Sequence, residues 1–343
     1  MVDLATTWLG LPLRSPLVVG ASPLCDRVDD AVRFVEAGAG AVVLRSLFEE
    51  QLVADQLAAH HFFDSLVDRD AEARSFLADT DVFSVGAEPT LRRIRSLVEA
   101  LDVPVIASLN GATPGGWTDH ARELEGAGAT AIELNLYDVA TDVTESGAAI
   151  EQRQLEVVAG VVAAVDVPVS VKLSPSYASV PHMVARIEEA GAAGVVVFNR
   201  FYQPDIDLET LDVDRHLVLS TPAELPQRLH ALAVLHGQVG LSLAATGGVH
   251  HGTDAAKAIL CGAHAVQLVA ALLQGGPTRL AAIHAELVAW LDDTGYRTLD
   301  EARGATSLHH VANPHEWERL NHAQLLRSWH DPVPGRPSAL PRH

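Results

Sequence analysis

Short apolar runs alternate with stretches of helical periodicity along most of this chain. A run that is apolar at consecutive positions is typical of a strand buried on both faces, and such strands pair in parallel. Strands are therefore predicted over eight runs: Leu17–Gly20, Ala41–Leu44, Val103–Ala107, Thr130–Leu134, Val167–Leu173, Gly194–Phe198, Leu241–Ala245 and His264–Val269. Helices are predicted between and after them, over Asp29–Ala37, Thr90–Leu101, Trp117–Gly126, Gly147–Val165, Tyr177–Ala190, Pro222–His236, Ala255–Leu260 and Leu280–Asp292.

Eight strand–helix units within about 270 residues predict an α/β fold, a single (β/α)8 TIM barrel. A doubly wound sheet is the alternative that the same alternation allows. Trp8–Pro16 is predicted to form a short N-terminal hairpin that closes the bottom of the barrel. We expect the barrel domain to span residues 1–305, with long excursions at about 46–89 and 201–220. Residues 306–343 are expected to form a C-terminal extension with a short helix near Glu316–Trp329.

The segment Leu241–Pro277 carries the most specific pattern in the chain. One predicted strand runs into Gly247-Gly248, and after a helix the next strand ends before Ala270-Ala271. Glycine lets a backbone approach an anion closely, and a helix N-terminus offers unpaired N–H groups to it. Two such turns on neighbouring parallel strands form a phosphate site in the last units of a TIM barrel. The alternative is that these glycines are ordinary turn residues.

Charge and composition argue against several classes of function. The formal net charge of −20 disfavours binding to nucleic acid or to an anionic membrane surface. No apolar run is long enough to span a membrane and no signal segment is evident, so a cytoplasmic location is expected. Cys25 and Cys261 are far apart, which disfavours a disulfide framework or a cysteine metal site. Adjacent histidines such as His250-His251 rarely converge on one ion, so no metal is expected.

Polar side chains follow several predicted strands at their carboxyl ends, where TIM barrels place their catalytic groups. Asn110, Asn135 and Asn199 supply donors and acceptors that suit a planar polar heterocycle. Lys172 is one of only two lysines among 24 basic residues, and its amine can stabilise an electron-rich ring or form a Schiff base. The structural alternatives are a Lys172 ion pair with Glu133 and three asparagines that merely serve turns. Both interpretations stay open from these residues.

Taken together, the motifs resemble those of class 1 dihydroorotate dehydrogenases, and more closely the dihydroorotate dehydrogenase-like group. The resemblance covers about residues 3–305 and is strongest over Ala244–Pro277. The motifs that carry it are Ala21-Ser22, ELN ending at Asn135, VKLSP around Lys172, Asn199, TGGV over Thr246–Val249, LCGA over Leu260–Ala263, VVLRSLFEEQ over Val42–Gln51 and SLNG over Ser108–Gly111.

The resemblance implies FMN as cofactor and the oxidation of dihydroorotate or a related dihydropyrimidine, a step of pyrimidine biosynthesis. It implies that the phosphate lies over the last two barrel strands, held at Gly247, Gly248, Ala270 and Ala271. Lys172 would lie at the N1/O2 edge of the flavin and stabilise the reduced anion. The other residues that it places around the flavin or substrate are Ala21, Ser22, Arg45, Asn110, Asn135 and Asn199.

Several positions depart from the family pattern. Where the family has a Cys or Ser as the active-site base, this chain has Asp138, preceded by Tyr137, so one of these two is the expected base. The family lysine after the second strand is Arg45, which either faces the site or pairs with Glu49 or Glu50. The flavin half of the site thus matches the family pattern, whereas the orotate half does not.

Two other functions stay open beside the flavin-dependent oxidoreductase. The altered substrate residues allow a non-catalytic or partner-dependent flavoprotein, and Lys172 allows a flavin-free barrel lyase that forms a Schiff base. The expected partners are a small planar substrate and, by resemblance, a second copy of the chain in a homodimer. No iron–sulfur set of cysteines lies in this chain, so any such cluster would belong to a separate electron-transfer partner.

Overall fold

The computed structural model describes residues 2–48, 87–110, 114–136, 140–200, 205–214 and 217–327. The strands within these ranges are β1 (Thr6–Trp8), β2 (Leu11–Leu13), β3 (Leu17–Ser22), β4 (Ala41–Leu44), β5 (Leu47–Phe48), β6 (Val105–Asn110), β7 (Ala131–Asn135), β8 (Val169–Leu173), β9 (Gly194–Val197), β10 (Asp205–Ile206), β11 (Val213–Asp214), β12 (Ser242–Thr246) and β13 (Ala265–Leu268). The α-helices are α1 (Val28–Glu36), α2 (Glu88–Ala100), α3 (Pro114–Gly126), α4 (Gly147–Val162), α5 (Val180–Glu189), α6 (Leu225–Leu235), α7 (Gly252–Leu260), α8 (Ala270–Thr294), α9 (Leu299–Ala302) and α10 (Pro314–Arg327).

Eight of these strands form a closed barrel. Their order around it is β4, β3, β13, β12, β9, β8, β7 and β6, and β4 pairs again with β6. These ladders are parallel, as helical crossovers between successive strands require. The predicted (β/α)8 barrel is confirmed. The doubly wound alternative is wrong, because its sheet is open and has no pairing equivalent to the one between β4 and β6.

Side chains alternate between the inside and the outside of the barrel along each strand, as the pleat requires. Val18, Ile106 and Ala265 point inward and form the lower interior together with Trp8, which is fully buried. Trp8 comes from the antiparallel β1–β2 hairpin, so the hairpin closes the bottom of the barrel as predicted. Its strands cover residues 6–13, slightly earlier than the predicted range.

A second, larger core fills the layer between the outer barrel surface and the surrounding helices. Outward strand residues such as Ile132 and Val266 meet apolar helix residues such as Phe34, Leu124 and Leu287 there. Each side chain of this size contributes about 1.5–3 kcal/mol when it leaves water. This layer fixes the strand ends and therefore the loops that follow them.

The described parts of the two predicted excursions and of the C-terminus add little regular structure. β10 and β11 form a short antiparallel hairpin, and α10 has no buried residue. The helix predicted over Glu316–Trp329 is observed at Pro314–Arg327. Most of the first excursion, residues 49–86, lies outside the described residues. No helix in the described ranges is long and apolar enough to cross a membrane.

Candidate active site

A cavity of about 260 Å³ lies at the carboxyl ends of the barrel strands. Four strands contribute to its wall, β3, β8, β12 and β13, together with residues 198–200, which follow β9. The predicted site residues that line it are Ala21, Ser22, Lys172, Asn199, Gly247, Gly248 and Ala270. The fold thus brings the Lys172 amine, the glycine turn and the start of α8 to one place. More than 90 residues separate Lys172 from Ala270 in sequence.

The turn after β12 has a backbone that strongly favours glycine. Gly247 and Gly248 have φ angles of 88° and 79°, in the left-handed region. A Cβ on Gly248 would lie 2.7 Å from the backbone nitrogen of Leu225, closer than real side chains approach. The Gly248 N–H donates to Ser220 Oγ at 3.2 Å. The backbone of this turn is therefore the surface that the cavity meets.

The start of α8 forms the adjoining part of the wall. The Val269 carbonyl accepts from the N–H groups of Leu272 and Leu273 at 3.0 and 2.9 Å, so the helix begins at this point. Ala270 and Ala271 occupy its first turn, where N–H groups have no carbonyl partner within their own helix and the helix dipole is positive. The helix is broken at Gly276, which has a φ of 59°. Gly276 stands in the Gly-Gly-Pro turn that the sequence places before the last long helix.

Arg228 on α6 is a cavity residue that the sequence did not reveal. It is only 4% exposed, and its guanidinium donates to the carbonyls of Thr246 at 3.1 Å and Glu224 at 2.9 Å. Its Nη2 lies 3.7 Å from a carboxylate oxygen of Glu224. Burial lowers the pKa of Arg228, and Glu224 opposes this shift. From sequence alone, an arginine in a predicted helix is expected on the solvent-exposed face of that helix. Only the fold shows that Arg228 contacts the glycine turn.

Lys172 lies inside the barrel, against a buried carboxylate. Its Nζ is 3.5 Å from Glu133 Oε1, and the lysine is 7% exposed while Glu133 is fully buried. Gln267 Nε2 donates to the other oxygen of Glu133. Burying a charge is costly unless it is paired, so this contact explains how the lysine can occupy the interior. The structural alternative for Lys172 is thus present, and the amine lines the cavity as well.

Two of the three predicted asparagines contact each other. Asn199 Nδ2 donates to Asn135 Oδ1, and the Asn199 backbone N–H donates to the Leu173 carbonyl at 2.7 Å. Asn199 lines the cavity, whereas Asn135 lies one hydrogen bond behind it. Asn110 is buried at the end of β6, outside the set of residues that line the cavity.

Arg45 and Ala271 also lie outside the cavity wall. Arg45 Nε is 3.3 Å from Asp26 Oδ1, and Arg93 Nη1 lies at the same distance from that oxygen. The ion pair that the sequence suggested for Arg45 involved Glu49 or Glu50, and those two residues lie outside the described ranges. The observed partner, Asp26, is distant in sequence and could not be inferred from local spacing.

Tyr137 and Asp138, the two predicted bases, lie outside the described residues, so their roles stay predictions. His250 is hydrogen-bonded within the chain: its Nε2 lies 2.7 Å from the Ser220 carbonyl oxygen, and Arg279 Nε donates to the His250 carbonyl. In the ranges that the structure describes, no three His, Cys, Asp or Glu residues form a group that could hold a metal.

Comparison with known proteins matches residues 73–291 to the dihydroorotate dehydrogenase family. A relative from Aeropyrum pernix, named putative dihydroorotate dehydrogenase A (fumarate), is 31% identical over 64% of this chain and 72% of its own. A relative from Methanothermobacter thermautotrophicus, named dihydroorotate dehydrogenase B (NAD(+)), catalytic subunit, is 27% identical over 88% of this chain and 97% of its own. A protein of the same name from Methanosarcina mazei is 31% identical over 78% of this chain and 83% of its own.

The matched segment contains the Lys172 amine, Asn199 and the glycine turn, which all line the cavity. It covers well over half of the chain. The chain therefore belongs to the dihydroorotate dehydrogenase family, whose members are flavin-dependent oxidoreductases that act on CH–CH bonds.

Proposed function

We propose that this chain holds FMN in the cavity and oxidises dihydroorotate or a related dihydropyrimidine. The observation that carries the proposal is the composition of one cavity wall. A glycine turn, the first turn of a helix and a buried lysine amine meet there. The glycine turn and the helix N-terminus suit the phosphate of a flavin nucleotide, and the lysine amine suits the electron-rich edge of its ring.

The backbone around the turn fits a phosphate group. A Cβ on Gly248 would lie 2.7 Å from the Leu225 backbone nitrogen, so glycine is needed for the chain to turn here beside the cavity. The N–H groups of Gly247, Ala270 and Ala271 would donate to the phosphate oxygens, and the Gly248 N–H would hold Ser220 beside them. Ser220 Oγ, which accepts from Gly248, would turn its own O–H toward the phosphate.

The remaining predicted residues would hold the ring. Lys172 would lie at the N1/O2 edge, while Ala21 and Ser22 at the end of β3 would contact the isoalloxazine face. Asn199 would face the ring directly, supported from behind by Asn135. Asn110 and Arg45 would act from further out, on the side of β4 and β6.

Bound FMN supplies the acceptor for a hydride from the substrate. The chain contributes the rest. Lys172 places a positive charge where negative charge develops, and the closed barrel below excludes water and lowers the effective dielectric around that charge. Asp138 or Tyr137 would remove the proton from the substrate carbon next to the one that loses hydride.

Two features support a related dihydropyrimidine as an alternative to dihydroorotate itself. The family base is replaced by Asp138, and Arg200 follows Asn199 where the family has a serine. Arg200 lines the cavity, and its Nη2 lies 3.7 Å from Glu224. We further propose a separate electron-transfer partner, because relatives bear names that end in "catalytic subunit". We also propose a homodimer, on the family resemblance alone.

The purified protein should be yellow, and the flavin released on denaturation should be FMN by mass spectrometry. Under anaerobic conditions the correct dihydropyrimidine should bleach the flavin absorbance. Asp138→Ala should slow this bleaching by about 10²–10⁴-fold, since it removes the base. Asp142→Ala is the matched control, because Asp142 is exposed and bonded only locally to Thr144 in the described structure. A colourless protein would contradict the proposed cofactor, and equal bleaching in both variants would exclude Asp138 and leave Tyr137 as the proposed base.

A further inference from the structure

Gln267 holds a buried polar atom that nothing described in the chain satisfies. The residue lines the cavity from β13 and has no exposed surface. Its Nε2 donates to Glu133 Oε2, but its Oε1 has no hydrogen-bond partner among the described residues. Most buried amide oxygens in native proteins are paired with protein, ligand or ordered water. A donor is therefore missing at this buried atom, which belongs to a residue that lines the cavity.

Glu133 fixes the direction of this amide. A carboxylate only accepts hydrogen bonds, so Gln267 must turn its nitrogen toward Glu133 and its oxygen away from it. The reverse orientation would set two acceptors against each other. Lys172 Nζ lies 3.5 Å from the other oxygen of Glu133, which holds the carboxylate in place. One buried carboxylate thus orients both an amine and an amide.

The result is a donor and an acceptor on two residues that both line the cavity. Lys172 offers N–H groups and Gln267 offers an oxygen, and both contact the same carboxylate. A ring edge with an acceptor next to an N–H complements this pair. A cyclic imide has that edge, and the oxidised flavin ring carries one such N–H, at N3 beside the O2 carbonyl. The proposed position of Lys172 at the N1/O2 edge places N3 next in order.

We propose that Gln267 is a flavin-binding residue whose Oε1 accepts the N3–H of the ring, and that Glu133 is the positioning residue for both Gln267 and Lys172. The proposal rests on the proposed function, because it takes FMN as the ligand. It assigns the discrimination for an unsubstituted imide to a side chain of the barrel interior rather than to a loop.

The test compares FMN with N3-methyl-FMN as ligands of the flavin-stripped full chain, followed by flavin fluorescence. The wild type should bind FMN about tenfold more tightly, because methylation of N3 removes one hydrogen bond to Gln267. Gln267→Met removes the acceptor at similar volume, so the two ligands should bind it nearly equally. The ratio is the readout because a general loss of stability weakens both ligands alike. Gln154→Met is the matched control, since Gln154 is also buried but bonds to Tyr177 away from the cavity, and its ratio should equal that of the wild type.

If Gln267→Met fails to fold, NMR of the wild type with ¹⁵N-labelled FMN still tests whether N3–H is hydrogen-bonded. The N3–H resonance should be shifted downfield and protected from exchange with water; exchange as fast as in free FMN would overturn the proposal. An FMN preference that is the same in Gln267→Met and the wild type would also overturn it. If that variant in addition binds a dihydropyrimidine and its N3-methylated form equally well, Gln267 would be assigned to the substrate instead of the flavin. In these cases FMN binding, and hence the proposed function, would stand. A wild type that binds neither ligand would instead defeat the proposed function.

Discussion

Lys172 shows how one residue can serve both the fold and the chemistry. Lysine is rare in this chain, and the position at the end of a buried strand suggested a role for its amine. The sequence left that role and a Glu133 ion pair as competing alternatives, yet the structure holds the pair within the cavity wall. The two are compatible because an interior amine needs a counter-charge before it can face a ligand.

Replacing Lys172 by Met should slow anaerobic flavin reduction by about 10²–10³-fold per bound flavin, since the charge at the ring edge is lost. Stability should also fall, because Glu133 would keep its buried charge without the amine. Lys257→Met is the matched control: the other lysine is exposed and pairs with Asp254 on α7. Stopped-flow absorbance measures the rate. An unchanged rate per bound flavin in Lys172→Met would show that the amine only supports the fold.

The glycine turn permits a similarly matched experiment. Gly248→Ala should abolish or strongly weaken FMN binding, because its Cβ would lie 2.7 Å from the Leu225 backbone nitrogen and move the turn. Gly276→Ala is the control, since Gly276 also has a positive φ but a Cβ there would meet nothing within 4 Å. Both variants thus place a Cβ on a backbone with a positive φ. Fluorescence titration with FMN measures the difference, and equal affinities would argue against a phosphate site at this turn.

One cavity residue carries a sequence signal that is weak on its own. Gln267 lies in the run AVQL, where one polar residue interrupts apolar neighbours. The signal that could have found it is parity: Glu133, Lys172 and Gln267 all occupy inward-facing positions of barrel strands. A polar residue at such a position needs a partner or a ligand. The partners come from strands far apart in sequence, so spacing cannot show which residues meet.

At the scale of elements, α6 and the turn after β12 are joined by one buried guanidinium. Arg228 donates to carbonyls on both sides of the junction, at Thr246 and Glu224. A Cβ on Gly247 would lie 3.1 Å from Arg228 Nη2, so the side chain directly supports the turn. The alternation of strands and helices predicted both elements well. It could not predict this link, because the link depends on how α6 packs against the barrel.

Arg228→Lys should therefore loosen the turn while it keeps the positive charge. Lysine cannot donate to both carbonyls from a rigid fork, so we expect a stability loss of about 1–3 kcal/mol and weaker FMN binding. Arg186→Lys on α5 is the control, since Arg186 is bonded to Gln152 at an exposed position. Urea denaturation and FMN titration measure the two effects. Wild-type stability and FMN affinity in Arg228→Lys would show that Arg228 does not stabilise the turn.

At the scale of the whole molecule, the N-terminal hairpin and the segment after α9 meet at the bottom of the barrel. Arg303 beyond α9 donates to Thr6 Oγ1 of the hairpin, and Thr6 Oγ1 donates to the His264 carbonyl at 3.1 Å. The sequence predicted the closing hairpin but could not place the C-terminal residues against it. These contacts join segments almost 300 residues apart, and hydrophobic periodicity carries no information about such distant partners.

His264 makes this junction sensitive to pH. Burial, and then the positive charges of Arg303 and His236, lower the pKa of His264 from 6.5 to about 4. Between these values the unfolded chain binds a proton that the folded chain does not, so stability should fall as the pH falls. From pH 7 to pH 5 this one group should cost about 1–2 kcal/mol of unfolding free energy. His264→Asn keeps an acceptor for the Leu243 N–H but cannot titrate. Urea denaturation of both proteins at several pH values isolates the contribution, because all other groups are shared. Parallel curves for the two proteins would show that His264 is as readily protonated in the folded state as in the unfolded chain.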